Sequence, residues 1–199
     1  MDRPERVDRR VQILDAALAV FTRKGVFATR IADIASEAGI AYGLVYHYFR
    51  NKEEILNTIF EERWARVTEL LERAEAGGET PRDQLRRAVE VFISSYRDRP
   101  QVVELLLLEF SRMSKFLEPV HLEQIGRAFA VVTRILENGQ KSGDIRAGIP
   151  ASLLMLVFLG GIQLILQSEA FGNVRLPEGF AESGAEMVVD VFWEGVKSR

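Results

Sequence analysis

Apolar positions recur every three or four residues almost from end to end of this chain, the spacing of helices that each bury one face. Leu14, Ala17, Leu18 and Phe21 share a face between Arg9 and Lys24, and Gly25 follows as a left-handed stop. Ile31, Ile34, Ala35 and Ala38 form the inner face of a short helix capped by Thr29 and ended by Gly39. The turn Gly39-Ile40-Ala41 leads into a second short helix over Tyr42 to Tyr48. Asn51 and Glu54 read as a capping box for a helix running to about Ala76 and stopping at Gly77-Gly78. Thr80-Pro81 restarts the chain as N-cap and first helical position, ahead of a helix over Asp83 to Arg97. Pro100 opens a leucine-rich helix, Pro119 to Ser142 forms a long one, Pro150 opens the most apolar one, and Pro177 precedes the last. The pattern predicts an all-α fold of about nine helices, with neither an alternating strand run nor an internal repeat.

The pattern also sets organisation. The Gly-Gly-Glu-Thr stretch at 77–80 is the strongest break in the chain. The longest apolar run, Ser152 to Leu166, holds Gln163 and falls short of the roughly 20 residues a membrane span needs, so a core or subunit interface is expected instead. No membrane partner is expected. The N-terminus is charged and lacks the apolar stretch of a secretory signal.

Composition narrows the chemistry. The chain has no cysteine, which removes thiolate metal sites and cysteine nucleophiles and suits a reducing cytoplasm. His47 and His121 are too few and too far apart for a metal site. No phosphate-binding loop, nucleophile elbow, zinc-protease motif or dinucleotide fingerprint is present, so no enzyme activity and no cofactor are expected. Residues 1–52 carry nine Lys or Arg against six Asp or Glu, and the remainder 17 against 23. A basic head on an acidic body suits an anionic partner at the head.

The candidate chemistry lies in that head. Helix, three-residue turn with glycine, helix is the arrangement whose second helix enters the DNA major groove. Ile34, Ile40 and Val45 supply a small core between the two helices, and Ala35 and Gly39 are small where they cross. The second helix then faces outward with Tyr42, Gly43, Tyr46 and His47. Gly43 leaves room for close approach to a duplex, and tyrosine and histidine can donate to phosphates or base edges. Tyr48 adds a hydroxyl, whereas Phe49 packs back on Leu18 and Phe21. Thr29 is read as both cap and phosphate contact, with Arg30 beside it, and Lys52 as a cation next to free N–H groups at a helix start.

The stretch Thr29-Arg-Ile-Ala-Asp-Ile-Ala-Ser-Glu-Ala-Gly-Ile-Ala-Tyr-Gly-Leu-Val-Tyr-His-Tyr-Phe-Arg-Asn-Lys-Glu-Glu-Ile-Leu56 resembles the DNA-binding segment of the TetR family of bacterial repressors. The likeness covers about residues 10–60. One departure is Ala41, where the family often has Ser or Thr capping the reading helix. The resemblance implies a DNA-binding domain at 1–56, linked by a helix at 52–76, and an effector-binding and dimerisation domain at 57–199. It implies a cytoplasmic homodimer on double-stranded, palindromic operator DNA, released by a small molecule.

The resemblance further implies that the helices at 150–171 and 178–196 pair across a twofold axis. Leu153, Leu156, Val157, Gly160, Gly161, Leu164, Val188, Val191 and Phe192 are the expected interface. It places an effector pocket among the body helices, with Phe92, Tyr96, Leu106, Glu109, Phe110, Met113, Phe129, Val132, Phe158 and Gln163 as candidate lining. Ser111 and Arg134 are further polar candidates, and His121 is read as a surface or capping residue. The lining suits an apolar or amphipathic effector. The Ala41 turn and leucine-rich middle are similar to family members that govern fatty-acid breakdown and bind acyl-CoA, and a drug-like or aromatic effector is an equal expectation. Rival readings are a ligand-independent architectural DNA binder and a transcriptional activator.

Overall fold

The computed structural model describes residues 8–103, 105, 119–172 and 177–198, with backbone alone at 119–122, 171 and 181. Eight helices are bounded within them: α1 Arg9–Lys24, α2 Ile31–Glu37, α3 Tyr42–Tyr48, α4 Lys52–Gly77, α5 Pro81–Asp98, α6 Pro119–Ser142, α7 Ala151–Phe171 and α8 Phe180–Val196. Residues 100–103 open a further helical segment. No strand forms among the described residues, and the isolated bridge between Ile145 and Lys197 is the one β-type pairing there. The all-α expectation therefore holds.

The chain divides into two compact units. The head comprises Met1–Glu62 with Gln101–Phe116, and the body Arg63–Pro100 with Leu117–Arg199. The division falls inside α4, not at a loop, because a continuous helix can serve one core with its first turns and another with its last. Val102 and Leu105 join the head core. The family resemblance puts the helix opened by Pro100 in the body, but Val102 and Leu105 are i, i+3 neighbours, a period that fits either core.

In the head, Asp8 caps α1 by accepting the Arg10 N–H at 2.9 Å. Ile13, Leu18 and Phe21 of α1 close on Ile34 and Ala35 of α2, Val45 of α3, Phe49, and Ile55 and Ile59 of α4. Gly39 ends the α2 region at φ +63°, a left-handed turn that glycine adopts without strain. Its role is conformational and not one of close helix crossing, since a Cβ there would touch nothing within 4 Å.

In the body, the Thr80 hydroxyl accepts the Asp83 N–H at 3.1 Å and starts α5 at Pro81. α5 packs against α6, α7 and α8, and α6 against α7. Leu85, Val89, Val132, Ile135, Leu136, Phe158 and Val189 form the centre of this core, with Val67 and Leu71 from α4. Arg134 grips the Glu75 carboxylate with two nitrogens at 3.1 and 2.7 Å, tying α6 to α4. This fork raises the arginine's pKa further and places Arg134 on the exposed surface, not in a cavity.

Candidate nucleic-acid interface

α3 is a two-faced helix. Val45 is sealed in the head core, while Tyr42, Gly43, Tyr46, His47 and Tyr48 are exposed. Tyr42 and Tyr46, one turn apart, remain 53% and 47% exposed. Their rings meet edge to face at 5.2 Å and 71°, and their hydroxyls lie 3.0 Å apart. Each hydroxyl has one proton, so one donates to the other and the second proton remains for an outside acceptor. The hydrogen bond with Tyr42, aided by desolvation and the nearby Tyr42 charge, raises the Tyr46 pKa above its ordinary phenolic value. His47 and Tyr48 form a second edge-to-face pair at 5.4 Å. A Cβ on Gly43 would meet nothing within 4 Å, so packing inside the head does not demand glycine there. Ala41 precedes α3 without any side-chain cap.

The elements around α3 are pinned to one another. Lys24 donates to Asp33 at 2.8 Å, and Arg23 to Glu37 at 2.7 Å, joining α1 to α2. Asp33 also accepts the Arg30 N–H at 2.9 Å. The Lys24 ammonium first, then the Arg30 N–H, hold the Asp33 carboxyl below the usual carboxylate range. Asn51 accepts the Glu54 N–H at 2.7 Å, and Glu54 takes the Arg50 N–H at 2.6 Å, a capping box shifted by one residue from the expected reciprocal pair.

Two of the expected phosphate contacts have structural roles instead. Lys52 donates to the carbonyls of Val26, Phe27 and Thr29 at 2.8, 2.9 and 2.8 Å. An ammonium has three protons, so none is left for a phosphate. Thr29 is 2% exposed and its hydroxyl donates to the Gly25 carbonyl at 2.8 Å, so Arg30 and not Thr29 stands at the N-cap of α2. Arg30 is exposed, as is Arg50, and neither forms an ion pair with the described residues. Sequence reasoning passed over Arg50 and also Phe27, which is 94% exposed on the α1–α2 turn. An apolar residue between two helices, outside both periodicities, was the available signal for Phe27.

The body's candidate residues separate in the same way. Phe92, Tyr96 and Phe129 are half-buried against the body core, and Phe129 meets Trp64 edge to face at 6.5 Å. Val132 and Phe158 are buried within that core. Leu106, Glu109, Phe110, Ser111 and Met113 lie outside the described residues, as does the side chain of His121. Gln163 is exposed on the outer face of α7, because helical spacing sets it beside Gly160 and Leu164. Among the described residues Thr68 Oγ1 and Arg87 Nε are buried without a hydrogen-bond partner.

The outer face of α7 exposes Leu153, Leu156, Val157, Gly160, Gly161 and Leu164, and α8 adds Met187 and Val191, the latter 80% exposed. Val188 is half-buried and Phe192 turns inward, its ring 4.8 Å from that of Phe158. Phe192, like Val188, is partly buried against the body core, while Met187 stands exposed on the outer face. Among the described residues Ala151–Ala170, with mean hydropathy 1.8, is long and apolar enough to cross a membrane by length and composition. The longest apolar run ends at Leu166, but the helix continues to Phe171.

Comparison with known proteins matches two separate stretches of the chain, and the second runs through residues 101–116, which the structure groups with the head. Residues 13–59 match the family described as bacterial regulatory proteins, tetR family, and residues 81–174 match the tetracyclin repressor-like C-terminal domain. The fatty acid metabolism regulator protein of Bacillus subtilis is 28% identical over 152 residues, covering 76% of this chain and 78% of its own length. The fold is shared with the fatty acid degradation regulator FadR of Bacillus halodurans, with a TM-score of 0.85 at 19% identity over 98% of this chain and 100% of that one. It is shared too with FadR of Bacillus subtilis in complex with stearoyl-CoA, with a TM-score of 0.83 at 24% identity over 93% of this chain and 98% of that one.

Proposed function

The chain belongs to the tetR family of bacterial regulatory proteins, and from that premise we propose that it is a transcriptional repressor that leaves its operator when it binds a long-chain acyl-CoA. The observation that carries the DNA half is the exposed face of α3. Tyr42, Tyr46 and His47 stand free on a helix whose other face is locked by Val45, so the helix can enter a groove without unfolding the head. The outward phenolic proton and the His47 ring supply donors for phosphates or base edges, while Arg30 beside α2 supplies charge. Gly43 lets the helix backbone come close to the duplex.

A homodimer completes the reader. The exposed leucine and valine face of α7, with Met187 and Val191 of α8, seats against its own copy, and Gly160-Gly161 lets the paired helices approach closely. Two reading helices then meet successive major grooves about 34–36 Å apart on a near-palindromic site. The protein acts in the cytoplasm, where its operator is.

The effector half rests on the body. The stearoyl-CoA complex of the Bacillus subtilis relative and the apolar, aromatic wall of Trp64, Phe92, Tyr96 and Phe129 both favour an acyl chain. Thr68 adds a polar anchor. Thr22 and Thr133 return their hydroxyls to the carbonyl four residues back, but Thr68 Oγ1 is buried and unpaired, as an acceptor on a ligand would require. α4 runs from the head into the body, so an effector that prefers one α4 position shifts the reader. A coupling of about 1–3 kcal/mol lowers operator affinity by about 5–150-fold.

Selection of duplexes from a random pool, followed by fluorescence anisotropy with stearoyl-CoA and free coenzyme A, tests both halves. A palindromic site released by stearoyl-CoA but not by coenzyme A is expected. Failure to select any duplex overturns the DNA half, and a complex indifferent to stearoyl-CoA overturns the effector half.

A further inference from the structure

Among the described residues Phe27 is the most exposed of the large apolar side chains, at 94%. Nothing in the folding of the head accounts for it, since a ring left in water adds almost no burial. The turn that carries it is nonetheless held firmly. Lys52 takes the carbonyls of Val26, Phe27 and Thr29, and the Thr29 hydroxyl takes that of Gly25. The Lys52 ammonium lies 6.0 Å from the centre of the Phe27 ring. A well-held turn therefore presents an apolar ring outward.

Its place in the fold identifies the surface it faces. Residue 27 lies three positions before Arg30, the N-cap of α2. Through Lys52, the first residue of α4, it also lies beside the chain leaving the C-terminal end of α3. The ring is thus set between the start of the helix that crosses the DNA backbone and the far end of the helix that reads the groove. Arg30 and Arg50, exposed and without ion pairs among the described residues, mark the two ends of that stretch. A protein-docking hot spot would be expected within a wider apolar patch. A lone ring between two exposed cations matches instead a sugar-phosphate strand, in which apolar deoxyribose faces alternate with phosphates.

We propose that Phe27 is a DNA-contacting residue that packs on a deoxyribose of the backbone bordering the groove entered by α3, between phosphates served by Arg30 and Arg50. This rests on the DNA half of the function proposed above. The contact carries no charge and reads no base edge, so it adds affinity and register without sequence preference.

The test compares wild type, Phe27→Ala, Phe27→Tyr and Tyr42→Ala on the selected operator and on a scrambled duplex, across a salt series. Phe27→Ala is expected to weaken binding to both duplexes about tenfold. Its affinity should fall with salt as steeply as that of wild type, since no counterion-releasing contact is lost. Phe27→Tyr should restore binding, and the melting temperature of each Phe27 variant should match wild type because the ring supports no core. Wild-type affinity for Phe27→Ala on both duplexes overturns the proposal, as does a weakening that appears only with a lowered melting temperature. If wild type itself binds no duplex, the DNA reading has failed rather than the role of Phe27.

Discussion

Two surfaces of this protein leave large apolar side chains in water, and they are built from different chemistry. The outer face of α3 is aromatic and tipped with polar atoms: the Tyr42 and Tyr46 hydroxyls, the His47 ring and the Tyr48 hydroxyl. The outer face of α7 is aliphatic, with Leu153, Leu156, Val157 and Leu164 around two glycines. An aromatic ring with a donor at its rim can bury area and still answer a phosphate or base edge. An aliphatic side chain offers area alone, and a surface of them gains only by meeting another apolar surface. The two faces therefore suit different partners, the aromatic one a polar surface and the aliphatic one another apolar surface.

The sharpest way to break this contrast is a charge on the aliphatic face. Leu156→Glu should leave the subunit folded, since the side chain is more than half exposed, yet weaken self-association on the order of 100-fold or more. Sedimentation velocity would follow the dimer and anisotropy the operator, with both expected to fail together. A variant that remains dimeric would remove the α7 face from the interface. Next in size is Tyr46→Ala, expected to lower operator affinity by roughly 10–100-fold while sedimentation is unchanged. Unaltered DNA binding would show that the aromatic face looks elsewhere.

The smallest effect concerns the frame behind α3. Asp33 has a lowered pKa because Lys24 and the Arg30 N–H favour its carboxylate. Its stabilisation of the head is complete above the unfolded carboxylate range and fades as pH falls through the folded pKa, below 3.8. Asp33→Asn should therefore melt slightly earlier than wild type at neutral pH, and the gap should close in acid. A gap of constant size from neutral to strongly acidic pH would mean that the Asp33 charge does not brace the reader.

Much of this was legible residue by residue. α1 and α3 begin and end where periodicity and flanking turns put them, and Thr80-Pro81 starts α5 as its capping chemistry requires. Phe49 is buried with Leu18 and Phe21 as its position after α3 suggested. The errors share a cause. Lys52 was read from its local setting at a helix start, but its protons go to carbonyls 26, 25 and 23 residues away. Thr29 was read as a cap, but its hydroxyl turns back to Gly25. Gln163 interrupts an apolar run, and only the rotation of α7 about its axis decides that it faces outward.

The sequence by itself determined the helices, their stops, the helix-turn-helix spacing and the family, because hydrogen bonds, caps and side-chain periodicity act over one to four residues. Only the tertiary structure decided which polar groups are spent inside the protein and which remain for a partner. It put the edge of the head within α4 and drew Val102 and Leu105 into the head core, and it left Phe27 in water. Those outcomes depend on which distant segment reaches a given donor or apolar face first, and no local pattern carries that information.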